Sequence, residues 1–171
     1  MTAPMDCAFQ KDGCWFRLRA AAIILEDGNV LMAHNDREPY YYSVGGAVRH
    51  DEAIEDAVVR EVREETGESY EIDRLAFLHE NFFDATGEAK GLRCHEVTFY
   101  FLMKPRGIRE FSAPSTTDDG VTEEVCWLPL DRFSSYTAYP AFFGEKLQNL
   151  KPYPEHIITR ENTWQQEKEL R

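Results

Sequence analysis

The run from Asp51 to Gly67 constrains this chain more than any other stretch. Asp51 suits an N-cap and Gly67 a C′ position, so the sequence predicts a helix of about four turns between them. At roughly 100° per residue, Ile54, Ala57, Val58 and Val62 project to one side as a core-facing stripe. Glu61, Glu64 and Glu65 continue that same side within an arc of about 100°. The face that should be core in its first half becomes three carboxylates in its second.

Each neighbouring carboxylate pair repels by roughly 1–4 kcal/mol, depending on local dielectric, and partial burial raises the cost. A solvated acidic face is the ordinary alternative. The in-line apolar stripe argues against it, and converging hard oxygen ligands suit Mg²⁺ or Mn²⁺.

The spacing is specific. Gly46, five residues, Glu52, seven residues, and then Arg60-Glu61-Val62-Arg63-Glu64-Glu65-Thr66-Gly67 resembles the Nudix box, Gly-x5-Glu-x7-Arg-Glu-U-x-Glu-Glu-x-Gly-U, where U is bulky and apolar. The departure is the final U, which is Glu68 here. The resemblance implies an α/β fold, an α/β/α sandwich with a mixed β-sheet and the box helix packed on it. It implies a metal-dependent hydrolase of a diphosphate linkage in a nucleoside diphosphate derivative. Carried onto this chain, Glu61, Glu64 and Glu65 become metal ligands with one serving as general base, the Gly45 carbonyl a further ligand, and Arg60 with Glu52 a pair that holds helix to loop. A nucleotide-sensing module without hydrolysis is the alternative, disfavoured by the intact carboxylate set.

Composition narrows the class. The 171 residues carry 43% hydrophobic side chains, enough for one globular domain with a sizeable core. A net charge of −12 excludes a general nucleic-acid binder. An anionic substrate must therefore be drawn in locally, by metal and a few Arg or Lys side chains. Cys7, Cys14, Cys94 and Cys126 lack metal-site spacing and read as reduced thiols of a cytoplasmic protein. Met1 to Gly13 reads as a loose leader without a signal peptide, and no apolar run approaches membrane length. A homodimer is left open.

Along the chain, Trp15–Leu25 and Val30–His34 read as strands joined by a hairpin turn at Glu26-Asp27-Gly28-Asn29. Arg17 and Arg19 share a strand face, either solvated or as cations near the substrate. Gly45-Gly46 lets backbone approach a ligand. Residues 71–81 and 92–103 read as two long strands around a polar loop. His95 reads as structural and Glu96 as a lesser candidate for a site carboxylate. Residues 105–120 form a polar loop. In 121–130, Glu123 or Glu124 is the candidate for a further metal or general-base carboxylate, with Glu124 taken as the metal ligand. Ala141–Leu150 is predicted as a helix, residues 156–159 as a last strand, and the end from Glu161 as a polar tail. Tyr42, Phe82 and Phe83 are either base-stacking or core aromatics. Family rules place a Pro about fifteen residues past the box in many ADP-ribose hydrolases, and a Tyr further on in many dinucleoside polyphosphate hydrolases. Phe82-Phe83-Asp84-Ala85 offers neither.

Overall fold

The computed structural model describes residues 4–86, 89–111, 115–116 and 122–160. The elements in chain order are β1 (Ala8–Lys11), β2 (Cys14–Ile23), β3 (Leu25–Glu26), β4 (Asn29–Asn35), β5 (Tyr41–Ser43), β6 (Gly45–Ala47) and α1 (Ile54–Thr66). They continue with β7 (Ile72–Asp84), β8 (Arg93–Met103), β9 (Ser115–Thr116), β10 (Thr122–Pro129), a 3₁₀ segment Leu130–Ser135, β11 (Ala138–Tyr139), α2 (Phe143–Lys146) with a 3₁₀ turn Leu147–Asn149, and β12 (Glu155–Arg160).

Two mixed sheets result. One runs β1-β2-β8-β7-β12 with β6 paired to β2; the other runs β11-β5-β4-β10-β9 with β3 paired to β4. Within the first, β2–β8 and β7–β12 are parallel and β7–β8 antiparallel. The chain passes between sheets after Ile23, so the strand expected over Trp15–Leu25 is divided between them.

Strand alternation makes the layers. Ala20, Ala22 and Ile24 face a core that includes Leu31 and the α1 residues Ala57, Val58 and Val62. Ala21 and Ile23 face the opposite core with Val30, Met32, Phe77, Phe133, Phe143 and Leu147. Helical segments thus cover both sides of shared strands, the expected α/β layering with the sheet split in two.

α1 ends as expected. Gly67 adopts φ 73° and its N–H donates to the Arg63 carbonyl. Its start differs. The helix begins at Ile54 after Ala53, with no side-chain cap, and Asp51 sits at φ 64° in the preceding turn. Residues 8–11 of the expected leader are instead a strand, closed onto β2 through Asp12-Gly13 at φ 52° and 77°. The helix expected over Ala141–Leu150 shrinks to one α turn and one 3₁₀ turn. Gly144 and two aromatics weaken its helical preference, and a Cβ on Gly144 would lie 3.3 Å from the Phe133 ring. Phe143 and Leu147 point inward. All four cysteines are free thiols. The expected tail from Glu161 lies outside the described residues, and among those residues no helix is long and apolar enough to cross a membrane.

Candidate active site

α1 delivers its three carboxylates to three different environments. Glu65 lies in line with the apolar stripe and is only 7% exposed. Its Oε1 accepts the Gly45 N–H at 2.7 Å, while its Oε2 is buried without a hydrogen-bond partner. Burial raises its pKa well above the ordinary carboxylate value; Glu123 and Glu61 push the same way, against the Gly45 N–H. Glu61 is half-buried and raised too, chiefly by burial, with Arg60 opposing. Glu64 is the exposed member, held by Arg60 Nη1 at 3.1 Å and near Arg49 Nη2 at 3.8 Å.

Arg60 ties this cluster to the loop before the helix. Its Nε and Nη2 donate to the two oxygens of Glu52 at 2.7 and 2.9 Å, a bidentate pair. Nη2 also reaches the Ala47 carbonyl at 3.1 Å, and Nη1 donates to Glu61. Glu52 Oε2 in turn accepts the Arg49 N–H at 2.9 Å. These bonds lower the pKa of Glu52 and raise that of Arg60. Among the described residues, no three acidic, imidazole or thiol side chains form a ready-made metal cage.

The two glycines are required by contact. Gly45 takes φ 137°, and a Cβ there would strike the Ala20 carbonyl and sit 2.5 Å from Ala21 Cα. A Cβ on Gly46 would sit 2.5 Å from Glu61 Oε2. The Gly45 carbonyl accepts from Arg19 Nη2 at 2.7 Å.

β10 supplies the fourth acid, and it is Glu123. Successive strand residues face opposite ways, so Glu123 is buried at 9% while Glu124 is exposed, paired in register with His34. Glu124, the residue expected as a metal ligand, is thus the exposed member of the pair, and Glu123 is the buried one. Glu123 Oε1 accepts the Tyr42 hydroxyl, which itself accepts Asn35 Nδ2 at 2.8 Å. Burial first and then this bond to Glu123 raise the Tyr42 pKa. Tyr42, expected at the substrate, therefore lines the cleft and positions an acid beside Glu65.

The cleft adjoining this cluster has a volume of about 760 Å³. Its floor is one face of the first sheet, where side chains align in rows across four strands. Arg17, Glu96, Asn81 and Thr159 form one row on β2, β8, β7 and β12; Arg19, Thr98 and His79 begin the next. Arg17 and Arg19 both line the cleft, and neither is merely solvated. Arg17 Nε pairs with Glu96 Oε2, and the guanidinium lies over Trp15 at 4.7 Å and Phe83 at 5.9 Å. Burial pushes Glu96 up, but Arg19 and Arg17 outweigh it and hold the carboxyl below its ordinary value. Glu96 is a cleft residue that secures the two arginines. Phe83 lines the cleft, whereas Phe82 lies outside the cleft lining, stacked on His95 at 4.3 Å. His79, Asn81 and Thr159 escape sequence reading, since only cross-strand register brings them together.

Comparison with known proteins agrees with this geometry. Residues 15–148 match the family model of the NUDIX domain. A MutT-like protein from Streptomyces ambofaciens is 31% identical over 120 residues, 70% of this chain and 67% of that protein. Among solved structures, the mutator MutT protein from Bacillus halodurans superposes with a TM-score of 0.59 at 17% identity, covering 85% of this chain and 92% of its own. An ADP-ribose pyrophosphatase from Streptococcus suis gives 0.52 at 16% identity, covering 84% and 98%. At those identities the two structures speak to the fold, while the family match carries the assignment. With the box residues gathered between a glycine-lined strand and a helix, the chain belongs to the Nudix family.

Proposed function

We propose that this chain hydrolyses the diphosphate linkage of a nucleoside diphosphate derivative, using Mg²⁺ or Mn²⁺ held by Glu61, Glu64 and Glu65 with Glu123 alongside. The observation that carries the reading is the buried Glu65 Oε2, an unpartnered carboxylate oxygen next to two further acids. Buried charge without a partner is costly, and a dication is the partner that all-oxygen donors fit. The metal supplies charge neutralisation of the diphosphate and lowers the pKa of bound water.

The protein's own groups do the rest. The Gly45 N–H fixes the Glu65 carboxylate. Tyr42 fixes Glu123. Arg60 holds the helix to the loop through Glu52 and shares its Nη1 with Glu61 and Glu64. Gly46, lacking a side chain, leaves the Glu61 carboxylate adjoining the wall of the cleft. Arg60 Nη1 takes Glu61 Oε1, so Glu61 Oε2 would be the atom offered to a metal.

The test is phosphate release from nucleoside triphosphates, nucleotide sugars, ADP-ribose, dinucleoside polyphosphates, NADH and CoA, with and without Mg²⁺ or Mn²⁺, in ¹⁸O-water. Metal-dependent cleavage with label on a phosphate product is expected. No cleavage of any diphosphate, or label on a sugar carbon, overturns the reading.

A further inference from the structure

The cleft floor changes character across the sheet. At the β2 side it is ionic, with Arg17 and Arg19 against Glu96. At the β12 side the floor carries the uncharged side chains His79, Asn81 and Thr159, with Arg160 at its margin. There His79 Nε2 lies 2.8 Å from Thr159 Oγ1, and that hydroxyl donates to Asn81 Oδ1 at 2.6 Å.

Proton accounting fixes the direction of this chain. The Thr159 hydroxyl has one proton and gives it to Asn81. It must then accept from His79, whose Nε2 carries the N–H. His79 Nδ1 is left as a bare acceptor, and it is buried without a partner in a side chain only 3% exposed. Burial lowers the His79 pKa to about 4, against Glu96, so the ring is uncharged at neutral pH. Asn81 has spent its carbonyl on Thr159 and retains its amide N–H₂ as a donor. One acceptor and one donor are thus held side by side on neighbouring rows of a rigid sheet.

The walls are aromatic. Tyr40, Tyr42, Tyr139 and Phe142 line the same cleft, with Tyr40 and Tyr139 edge to face at 5.4 Å and Phe142 against His79 at 4.9 Å. A flat ring between such walls gains stacking and loses little entropy. An uncharged donor–acceptor edge on a planar heterocycle matches both features. An acceptor already buried and unpaired gains a partner only from a ligand that brings the complementary donor.

We propose that His79, Asn81 and Thr159 form the specificity subsite that reads the hydrogen-bonding edge of the substrate's heterocyclic base. This deepens the proposed function and rests on it for the identity of the cleft. Thr159 acts as a positioning residue, setting the His79 tautomer, while His79 and Asn81 touch the base.

The experiment is binding in EDTA, read by ligand-observed NMR. The probes are the 5′-monophosphates of guanosine, adenosine, cytidine and uridine, each set against ribose 5-phosphate as the base-less probe. At least one nucleotide should bind about tenfold tighter than ribose 5-phosphate, as a well-paired base edge provides. Thr159→Val and His79→Phe should remove most of that advantage, Thr159→Ser should keep it, and ribose 5-phosphate affinity should not move. The two near-isosteric changes at Thr159 guard against loss of fold, which melting curves check. The subsite is overturned if no nucleotide outbinds ribose 5-phosphate, or if Thr159→Val leaves the nucleotide advantage intact or weakens both probes alike. Because no turnover is needed, base binding without hydrolysis overturns the proposed function alone. Hydrolysis of diphosphates with no base-dependent binding overturns the subsite alone.

Discussion

Glu65→Gln is the most informative single change. In the metal-free protein Glu65 carries a buried oxygen without a partner and faces Glu61 and Glu123. Gln keeps the shape and the Oε1 that accepts the Gly45 N–H, and its amide can donate toward the neighbouring acids. Each removed repulsion is worth about 1–4 kcal/mol at the dielectric of a protein surface. Side-chain relaxation reduces that, so a net stabilisation of about 1–3 kcal/mol is expected. For a chain of this size that is a rise of roughly 3–10 °C in melting temperature. Metal reverses the order. A dication that binds only the folded state stabilises in proportion to its affinity, so Mg²⁺ should raise the wild-type melting temperature and move Glu65→Gln much less, with turnover largely lost. The assay is melting in EDTA and across a Mg²⁺ titration. If Glu65→Gln melts lower than wild type in EDTA, responds equally to Mg²⁺ and keeps its turnover, the carboxylate is a structural acid and the metal assignment fails.

Other outcomes follow from the same geometry. His79 has a folded pKa of about 4 against 6.5 ordinarily, so the unfolded chain takes up its proton first; stability is intact above about pH 6.5 and falls by about 3 kcal/mol as pH drops to 4. Urea unfolding across that range should show His79→Phe losing that share of the slope, and an unchanged slope refutes the assignment. Gly45→Ala should destabilise by about 3 kcal/mol or more, since its Cβ meets backbone at a positive φ. Gly46→Ala should cost little stability in the same melts, because it displaces only the end of the Glu61 side chain, yet it should weaken Mg²⁺ binding by calorimetry. Glu123→Gln should lower metal-dependent kcat about tenfold or more, whereas Glu124→Gln should leave kcat and KM unchanged in the same assay.

Much of this site is local in sequence, and that part was legible. Helical spacing grouped Glu61, Glu64 and Glu65 on one side, because a helix converts separation into direction, and the resemblance to the Nudix box supplied the Arg60–Glu52 pair. Gly67 was legible as a stop for the same reason. The helix start was not, since Asp51 has the right chemistry for a cap but sits in a left-handed turn, and Glu52 is committed to Arg60. β1 carried a readable signal, the Asp12-Gly13 dipeptide, the same kind of turn as Asp27-Gly28. Its flanking residues 8–11 are all exposed, so no alternation announced a strand. Choosing between Glu123 and Glu124 needed the register of β10 on β4. The cleft floor lay beyond local reading altogether. Arg17, Glu96, Asn81 and Thr159 are far apart in the chain and meet only when four strands align.

The ionic end of that floor has a kinetic consequence. Glu96 offsets one of the two positive charges of Arg17 and Arg19, and the chain as a whole carries −12. A diphosphate approaching from a distance meets repulsion, not steering. Salt screens that repulsion over a Debye length of about 8 Å at physiological ionic strength. Association of an anionic substrate should therefore accelerate as salt is added, opposite to the usual behaviour of phosphate-binding proteins. A substrate presented as its Mg²⁺ complex carries less charge and should show a shallower dependence. Under the proposed function, the cation brought by the substrate would shape the encounter as well as the chemistry.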